Sequence, residues 1–270
     1  MNSSPGSVWV NKMSWTDTHA HLAEAEYDHD IHEVIERAKA ADVQRIILIG
    51  CQVAGAKRAL ALAKTDPLFK VAVGFHPEDV LNLTEADWID MEIMMRDPLT
   101  IAIGEIGLDF YWDKDETHHR LQEDVFIRQL ALANTLNKPV LIHSRDAIQK
   151  TYDLLKLHPV NRTGIMHCFS SSLEMAIAFI KLGYTISLAG PVTFKNAHIP
   201  VDVAKGIDLT HLLIETDSPY LTPHPYRGQR NESANVTLIG EKIAQLREID
   251  LELFQNILEK NYQKLFESPI

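Results

Sequence analysis

The stretch that organises this sequence is Thr16-Asp17-Thr18-His19-Ala20-His21-Leu22. The residues before His19 suit a β-strand, and a polar, acidic segment follows His21. Because side chains alternate along a strand, His19 and His21 project from the same side. Two neutral imidazoles placed in this way can bind one metal ion when other strands supply further ligands. The pair therefore predicts a metal site at the end of a first strand.

Seven further apolar runs follow, and most are separated by segments with helical periodicity. Continuous apolar runs are typical of strands buried on both faces, and their alternation with helices predicts a parallel sheet. Eight strand–helix units in 270 residues predict an α/β fold, a single closed (β/α)₈ TIM barrel rather than an open sheet. The seventh helix, within 198–206, has the weakest pattern. The predicted strands cover 15–18, 43–49, 69–74, 99–103, 139–142, 163–166, 184–188 and 211–214.

The sequence divides into a short leader and one domain. Residues 1–12 are rich in Ser, Pro and Gly and lack the basic start and apolar core of a secretory signal. We interpret them as a flexible N-terminal extension or leader, with Met13 as an alternative start. No low-complexity linker interrupts the rest, so residues 13–270 are predicted to form the barrel domain.

Composition restricts the classes of partner. The net charge of −11 argues against a protein that binds polyanions by surface charge alone, although bound cations can make a site locally positive. The two cysteines, Cys51 and Cys168, are far apart and predict no disulfide framework, so a reducing cytoplasm is the expected location. The sequence has no run of 18 apolar residues, so no membrane span is predicted.

Metal-competent side chains stand where five of the predicted strands end. In a barrel these carboxyl ends share one face, on which active sites are built. Each such residue taken alone would more often be a hydrogen-bonded structural group. Packing does not require all of them together, so we expect a shared metal centre formed by His19, His21, Glu105, His143, His167 and Asp217.

Four histidines and two carboxylates suit two divalent ions, such as Zn²⁺, Mn²⁺ or Mg²⁺. Glu105 has two oxygens and is the expected bridge. Glu105 and Asp217 are the predicted catalytic residues, and Asp217 is expected to position a water molecule and accept its proton. The predicted ligands of one ion are His19, His21, Glu105 and Asp217, and those of the other are Glu105, His143 and His167.

Further residues are expected around the same rim. His76 ends the third strand and is predicted to contact substrate. Cations there could neutralise phosphates, or could be solvated loop charges: Arg145, Arg227, Arg230 and Lys195. Aromatic residues could stack on bases, or could pack as lids: Tyr111, Trp112, Phe169 and Tyr220.

Several short motifs resemble those of the TatD family of metal-dependent hydrolases and follow one another in the same order along the chain. The resemblance runs from about Thr16 to Phe266, and the loop Arg227-Gly228-Gln229-Arg230-Asn231-Glu232 is similar to the family's loop after strand eight. The motifs are Asp17-Thr18-His19-Ala20-His21-Leu22, Gly74-Phe75-His76-Pro77, Gly104-Glu105-Ile106-Gly107-Leu108-Asp109-Phe110-Tyr111, Pro139-Val140-Leu141-Ile142-His143-Ser144-Arg145, His167-Cys168-Phe169-Ser170 and Glu215-Thr216-Asp217-Ser218-Pro219-Tyr220-Leu221.

The resemblance implies an amidohydrolase-like barrel with two divalent ions, held by the same six residues. It also implies a deoxyribonuclease, often dependent on Mg²⁺ and acting from the 3′ end, so that the expected partner is DNA, single-stranded or at its 3′ ends.

Two alternatives remain open. The first is a hydrolase of a small phosphoester, amide or lactone that uses the same metals, which the acidic composition favours because weak long-range attraction suits small substrates. The second is a non-catalytic, metal-stabilised binding module. A complete ligand set argues against the second, because a scaffold does not need open metal positions.

Overall fold

The structure, a computed structural model, describes residues 14–112 and 114–268. The predicted leader at 1–12 and the alternative start Met13 lie outside the described residues. Eight parallel strands follow one another in chain order around a barrel, as predicted. The strands are β1 (Trp15–Ala20), β2 (Val43–Gly50), β3 (Phe69–Val73), β4 (Thr100–Asp109), β5 (Val140–Arg145), β6 (Gly164–Met166), β7 (Thr185–Leu188) and β8 (Leu212–Ile214).

Helices separate consecutive strands and cover the outside of the barrel. The weakly patterned seventh helix forms over the predicted range and buries Val203 and Ala204. A π-helical turn, Gln263–Glu267, ends the last helix. The helices are α1 (Ile31–Ala40), α2 (Val53–Ala63), α3 (Glu85–Met95), α4 (Glu116–Leu136), α5 (Ile148–Leu157), α6 (Leu173–Lys181), α7 (His198–Gly206), α8 (Val236–Arg247) and α9 (Leu251–Tyr262).

The first and last strands meet through hydrogen bonds near the end of β8. The backbone N–H of Asp217 donates to the carbonyl oxygen of His19 at 2.9 Å. The buried carboxylate of Asp17 accepts hydrogen bonds from the N–H and the hydroxyl of Thr216, at 2.8 and 2.5 Å. These contacts fix the end of β8 beside the His19–His21 pair.

The barrel interior is filled by apolar side chains that precede the predicted ligands on the same strand faces. Leu141 and Ile165 belong to this interior cluster, together with Tyr262 and Leu265 from the C-terminal helical segment. Side chains two apart in a strand share a face, so His143 and His167 also point into the barrel. The apolar plug therefore lies directly before the polar cluster along the strands.

Three predicted strand ends near candidate ligands are wrong. β1 is predicted to end at Thr18 but continues to Ala20, so His19 lies inside it. β4 was expected to stop at Ile103 and β5 before His143, but they continue to Asp109 and Arg145, so Glu105 and His143 lie inside strands. The strands pair along this extension, with Gly107 opposite His143. The physical reason is that apolar, buried residues resume after Glu105, which continues the ladder.

A register irregularity in β4 also reverses the faces of its side chains. Ala102 packs in the interior cluster, so strict alternation would put Glu105 on the outer face. The pairing with β5 shifts between Ile103 and Ile106, and beyond the shift Ile106 packs outside the barrel. Glu105 is thereby placed among the inward-facing histidines.

No helix among residues 14–112 and 114–268 is long and apolar enough to cross a bilayer.

Candidate metal centre

The six predicted ligands converge on the carboxyl-terminal side of the barrel. Glu105 lies at the centre, only 3% exposed, and its two carboxylate oxygens face different groups of histidines. Oxygen Oε2 lies beside the His19–His21 pair at the end of β1, and Oε1 lies beside His143 and His167. The structure therefore brings together the residues that the strand ends predicted.

The first group of ligand atoms has the dimensions of a metal site. Nε2 of His19 lies 3.2 Å from Nε2 of His21 and 3.1 Å from Oε2 of Glu105. Oδ1 of Asp217 lies 3.8 Å from Nε2 of His19 and 3.5 Å from Nε2 of His21. A tetrahedron around an ion with bonds of about 2.1 Å has edges of about 3.4 Å, so the donors of His19, His21 and Asp217 have the spacing that a single divalent ion requires, with Oε2 of Glu105 beside them.

The second group surrounds the other oxygen of Glu105. Its Oε1 lies 2.7 Å from Nδ1 of His143 and 2.9 Å from Nε2 of His167. Nε2 of His76 lies 3.6 Å from the same oxygen. His76, predicted to contact substrate, thus also stands close enough to belong to this group of possible metal ligands.

The centre is electrostatically matched to cations. Burial raises the pKa of Glu105, but the surrounding imidazoles of His167, His19, His76 and His143 outweigh burial and hold that pKa well below its usual range. The pKa of Asp217 is also lowered, because contacts with histidines outweigh its desolvation. Both carboxylates are therefore ionised at neutral pH and available as ligands.

His19 and His21, at the end of β1, differ in their surroundings. Burial, followed by the charge of His167, lowers the pKa of His19, which favours the neutral imidazole that a metal needs. Burial also acts on His21, but bonds to Asp217, Cys51 and Glu24 outweigh it and raise its pKa. The two imidazoles therefore differ in how readily each loses its proton to become a metal ligand.

Two acidic residues behind the ligands were missed in the sequence. Oδ2 of Asp109 lies 3.0 Å from Nε2 of His143. Oε1 of Glu215 lies 2.8 Å from Nδ1 of His167 and accepts the backbone N–H of Cys168 at 2.7 Å. Carboxylates in such positions orient histidine ligands and raise their basicity. The available signal was their place in the motifs of Glu105 and Asp217, at the same ends of β4 and β8.

One predicted rim cation stacks on aromatic residues. The guanidinium of Arg145 lies 3.8 Å from the ring centroid of Tyr111 and 5.2 Å from that of Trp112. Tyr111 and Trp112 are exposed, with 43% and 64% of their surface accessible. Together they form a cationic and aromatic surface at the end of β5.

The other predicted rim residues have different neighbours. Arg230 binds Asp30, with Nη1 2.9 Å from Oδ1, and donates to the carbonyl oxygen of Glu26, so its charge is already paired. The guanidinium of Arg227 lies over the ring of Phe194 at 3.9 Å. Lys195, which follows Phe194 in the sequence, is exposed.

The last two predicted aromatic residues differ in exposure. Phe169 is buried against Phe179, as the lid alternative expects. Tyr220 is 52% exposed, and its ring centroid lies 6.0 Å from that of His21. Of the two, only Tyr220 presents a ring to solvent beside the centre.

Comparisons with known proteins agree with this geometry. Residues 16–267 match the family model described as TatD related DNase. The uncharacterized metal-dependent hydrolase YabD of Bacillus subtilis (strain 168) is 43% identical over 251 residues, which cover 93% of this chain and 98% of that protein. The uncharacterized metal-dependent hydrolase YcfH of Escherichia coli (strain K12) is 34% identical over 261 residues, covering 94% of this chain and 96% of that protein.

Solved structures share the fold. The crystal structure of YJJV, a TatD homolog from Escherichia coli K12, superposes with a TM-score of 0.89 at 31% identity and covers 94% of this chain and 98% of that chain. A TatD family hydrolase from Entamoeba histolytica gives a TM-score of 0.83 at 22% identity, over 94% of this chain and 98% of that chain. The second similarity concerns the barrel alone.

Proposed function

Since this chain belongs to the TatD family of metal-dependent hydrolases, we propose that it is a deoxyribonuclease that cleaves DNA phosphodiester bonds from the 3′ end. The observation that carries the proposal is the position of Glu105, whose Oε2 faces the imidazoles of His19 and His21 and whose Oε1 faces those of His143 and His167. A carboxylate so placed can bridge two cations, and paired cations serve phosphoryl-transfer enzymes by stabilising the attacking and leaving oxygens.

In this proposal the centre holds two divalent ions. The tetrahedral spacing of the first set of donors supports one site, and the cluster around Oε1 of Glu105 supports the other. The mixture of nitrogen and oxygen donors suits Zn²⁺ or Mn²⁺, and the two carboxylates also suit Mg²⁺. By their distances from the two Glu105 oxygens, the proposed ligands are His19, His21, Glu105 and Asp217 for the first ion, and Glu105, His143 and His167, with His76 beside them, for the second.

Bound divalent ions would supply Lewis-acid polarisation of the phosphodiester and would make a nearby water molecule more acidic. The chain's own contribution is to accept and hold protons. Asp217 is ionised and 3.5 Å from His21, so its carboxylate can accept the proton of the attacking water. The new bond joins the water oxygen to phosphorus as the bond to the leaving sugar oxygen breaks.

Positioning of the proposed nucleic-acid substrate falls to the exposed rim. Arg145 can donate paired hydrogen bonds to a phosphate, and Tyr111 beneath it restricts the guanidinium. Trp112 and Tyr220 present exposed rings on which unpaired bases can stack. Arg227 is a further candidate phosphate contact, whereas for Arg230 a substrate would have to replace Asp30.

A second candidate function is hydrolysis of a small phosphoester, amide or lactone at the same centre. The net charge of −11 favours it, since an acidic protein repels a long polyanion more strongly than a small substrate. Local cations would have to overcome that repulsion for DNA. A non-catalytic binding module is disfavoured, because its function does not require a full set of ligand donors facing one opening.

A substrate panel distinguishes these candidates. Metal-stripped protein is reconstituted with Mg²⁺, Mn²⁺ or Zn²⁺ and assayed on single-stranded DNA, duplex DNA, a small phosphodiester, an amide and a lactone. We expect 3′ shortening of end-labelled DNA, faster for single strands than for duplexes. Turnover of only a small substrate would replace the nuclease proposal with the second candidate. Absence of all turnover from protein with bound metal would favour the binding module.

A further inference from the structure

A second polar pocket lies at the opposite end of the barrel from the metal centre. We call it the basal pocket; its volume is about 230 Å³. It lies around the amino-terminal starts of β6, β7 and β8, where Thr163, Thr185 and His211 contribute to its wall. Thr163 precedes His167 by four residues of extended chain, so these two residues lie about 13 Å apart. The pocket is therefore separate from the candidate active site.

The basal pocket is cationic in an acidic protein. Its wall contains Arg162 and Lys264, and the imidazole of His211 adds a third basic group. No Asp or Glu side chain is among the described residues that line it. Two carboxylates lie close to the wall in sequence: Asp208 accepts hydrogen bonds from the N–H and hydroxyl of Thr210, and Glu267, beside Ser268, has an exposed side chain. Positive charge is thus concentrated where the chain offers no neutralising acid in the wall.

The guanidinium of Arg162 is held in place but retains hydrogen-bond donors, and Lys264 is exposed at the pocket. Nη2 of Arg162 donates to the carbonyl oxygen of Leu265 at 2.8 Å, which fixes the guanidinium beside the C-terminal helical segment. Neither Arg162 nor Lys264 forms an ion pair with any residue in 14–112 or 114–268. The remaining guanidinium N–H groups and the Lys264 ammonium are therefore donors for a guest.

Neutral donors complete the wall. Thr163 and Thr185 bring hydroxyl groups, and Asn161 brings a side-chain amide. Guanidinium, ammonium and hydroxyl donors in one pocket are the combination that binds phosphate oxygens, with the guanidinium as a fork and the ammonium as a point charge. The volume far exceeds the space one water molecule needs but is below that usual for drug-sized ligands. Size and chemistry together indicate a small anion rather than a polymer.

We propose that the basal pocket binds a small phosphate-bearing anion, either free phosphate or a phosphomonoester. Arg162 and Lys264 supply the charge, and the His211 imidazole and the threonine hydroxyls complete the contacts. The site is independent of the hydrolase reaction proposed above.

Calorimetric titration of the full, metal-loaded chain tests the proposal, with inorganic phosphate and a nucleoside 5′-monophosphate as probes and acetate at matched ionic strength as a comparison. Lys264→Ala should weaken phosphate binding at least about tenfold, because a hydrogen bond to a charged group is lost. Arg162→Lys keeps the charge but loses the fork, and it should also weaken binding. Tighter binding of the monophosphate would identify a phosphomonoester as the guest, and binding of inorganic phosphate alone would identify the free ion.

Two control variants separate the basal pocket from other anion sites. Lys64→Ala removes the same charge from an exposed position directly after α2, outside the pocket wall, and should leave phosphate binding unchanged. Glu105→Gln disrupts the metal centre and should leave phosphate binding at the basal pocket intact. Equal weakening by Lys64→Ala and Lys264→Ala, equal binding of acetate, or loss of all binding in Glu105→Gln would each overturn the proposal. Unfolding midpoints of the variants verify that each is folded.

Discussion

Oδ2 of Asp109 lies 3.0 Å from Nε2 of His143, while Nδ1 of the same imidazole lies 2.7 Å from Oε1 of Glu105. His143 is therefore held between two carboxylates, and both raise its pKa against the effect of burial. Asp109 is itself fixed, since its Oδ1 accepts the N–H groups of Tyr111 and Trp112. The carboxylate of Asp109 thus links the orientation of a metal-facing histidine to the aromatic rim.

Asp109→Asn should weaken metal binding. The amide cannot hold the imidazole of His143 as a carboxylate does, and loss of such a supporting contact typically reduces metal affinity or activity by about 10- to 100-fold. Titration of stripped protein with Mn²⁺ measures the change. Asp153→Asn, which alters an exposed carboxylate on α5, is the matched control and should bind like the parent. Unchanged Mn²⁺ affinity in the Asp109 variant would show that Asp109 does not support metal binding through His143.

Glu105→Gln should abolish metal-dependent hydrolysis. The amide of glutamine is a poor bridging ligand, so we expect loss of bound metal and a fall in turnover of more than about a hundredfold. Elemental analysis gives the metal content, and a nuclease assay gives the rate. Glu78→Gln changes an exposed glutamate near the rim and serves as the control. A folded Glu105 variant with full activity would refute the proposed centre.

Asp17 should make the stability of the stripped protein depend on pH. Burial raises the pKa of this carboxyl to about 7, even though hydrogen bonds from Thr216 and His19 oppose the rise. The unfolded chain has the ordinary value near 3.9, so the folded state binds the extra proton between these values. The stabilising contribution is complete below about pH 4 and is lost as the pH rises through about 7.

The measurement compares the parent with Asp17→Asn by chemical unfolding in a chelator. The free energy of unfolding of the parent minus that of the variant should fall between pH 4 and 7, by an amount on the order of 4 kcal/mol for a pKa difference of about three. Asparagine does not titrate, so it supplies the baseline. A difference that is flat or that increases with pH would show that Asp17 is ionised in the folded protein.

Arg145→Ala should impair use of DNA more than use of a small phosphodiester. Removing the guanidinium deletes a proposed phosphate contact and exposes Tyr111, and we expect kcat/KM for DNA to fall about tenfold, mainly through KM. Arg145→Lys should recover only part of the loss, because lysine lacks the planar fork. Arg120→Ala, at an exposed position on α4, is the control. An equal effect on both substrates would assign Arg145 a structural role.

The sequence was sufficient for the barrel and for its inward-facing histidines. The apolar runs before His143 and His167 predict buried parallel strands, and residues at the carboxyl ends of barrel strands share one face, so these positions follow from local pattern. Glu105 was placed in the right cluster at the wrong part of its strand. The register shift between Ile103 and Ile106 depends on pairing with β5, which no local pattern encodes.

Long-range partners set the limit of sequence reasoning at the rim. Arg230 and Arg145 are equivalent as loop cations in the sequence, but Arg230 pairs with Asp30, 200 positions away, and Arg145 stacks on Tyr111. The supporting carboxylates Asp109 and Glu215 are distinguished from surface acids only when their contacts with histidines are known.

The most direct test of the central claim is a crystal structure of the chain grown with Mn²⁺, with anomalous diffraction used to locate the metal. The account predicts two anomalous peaks, one on each side of the Glu105 carboxylate, with His19, His21 and Asp217 around one and His143 and His167 around the other. Absence of any peak in contact with Glu105, in crystals of protein that hydrolyses its substrate with Mn²⁺, would contradict it.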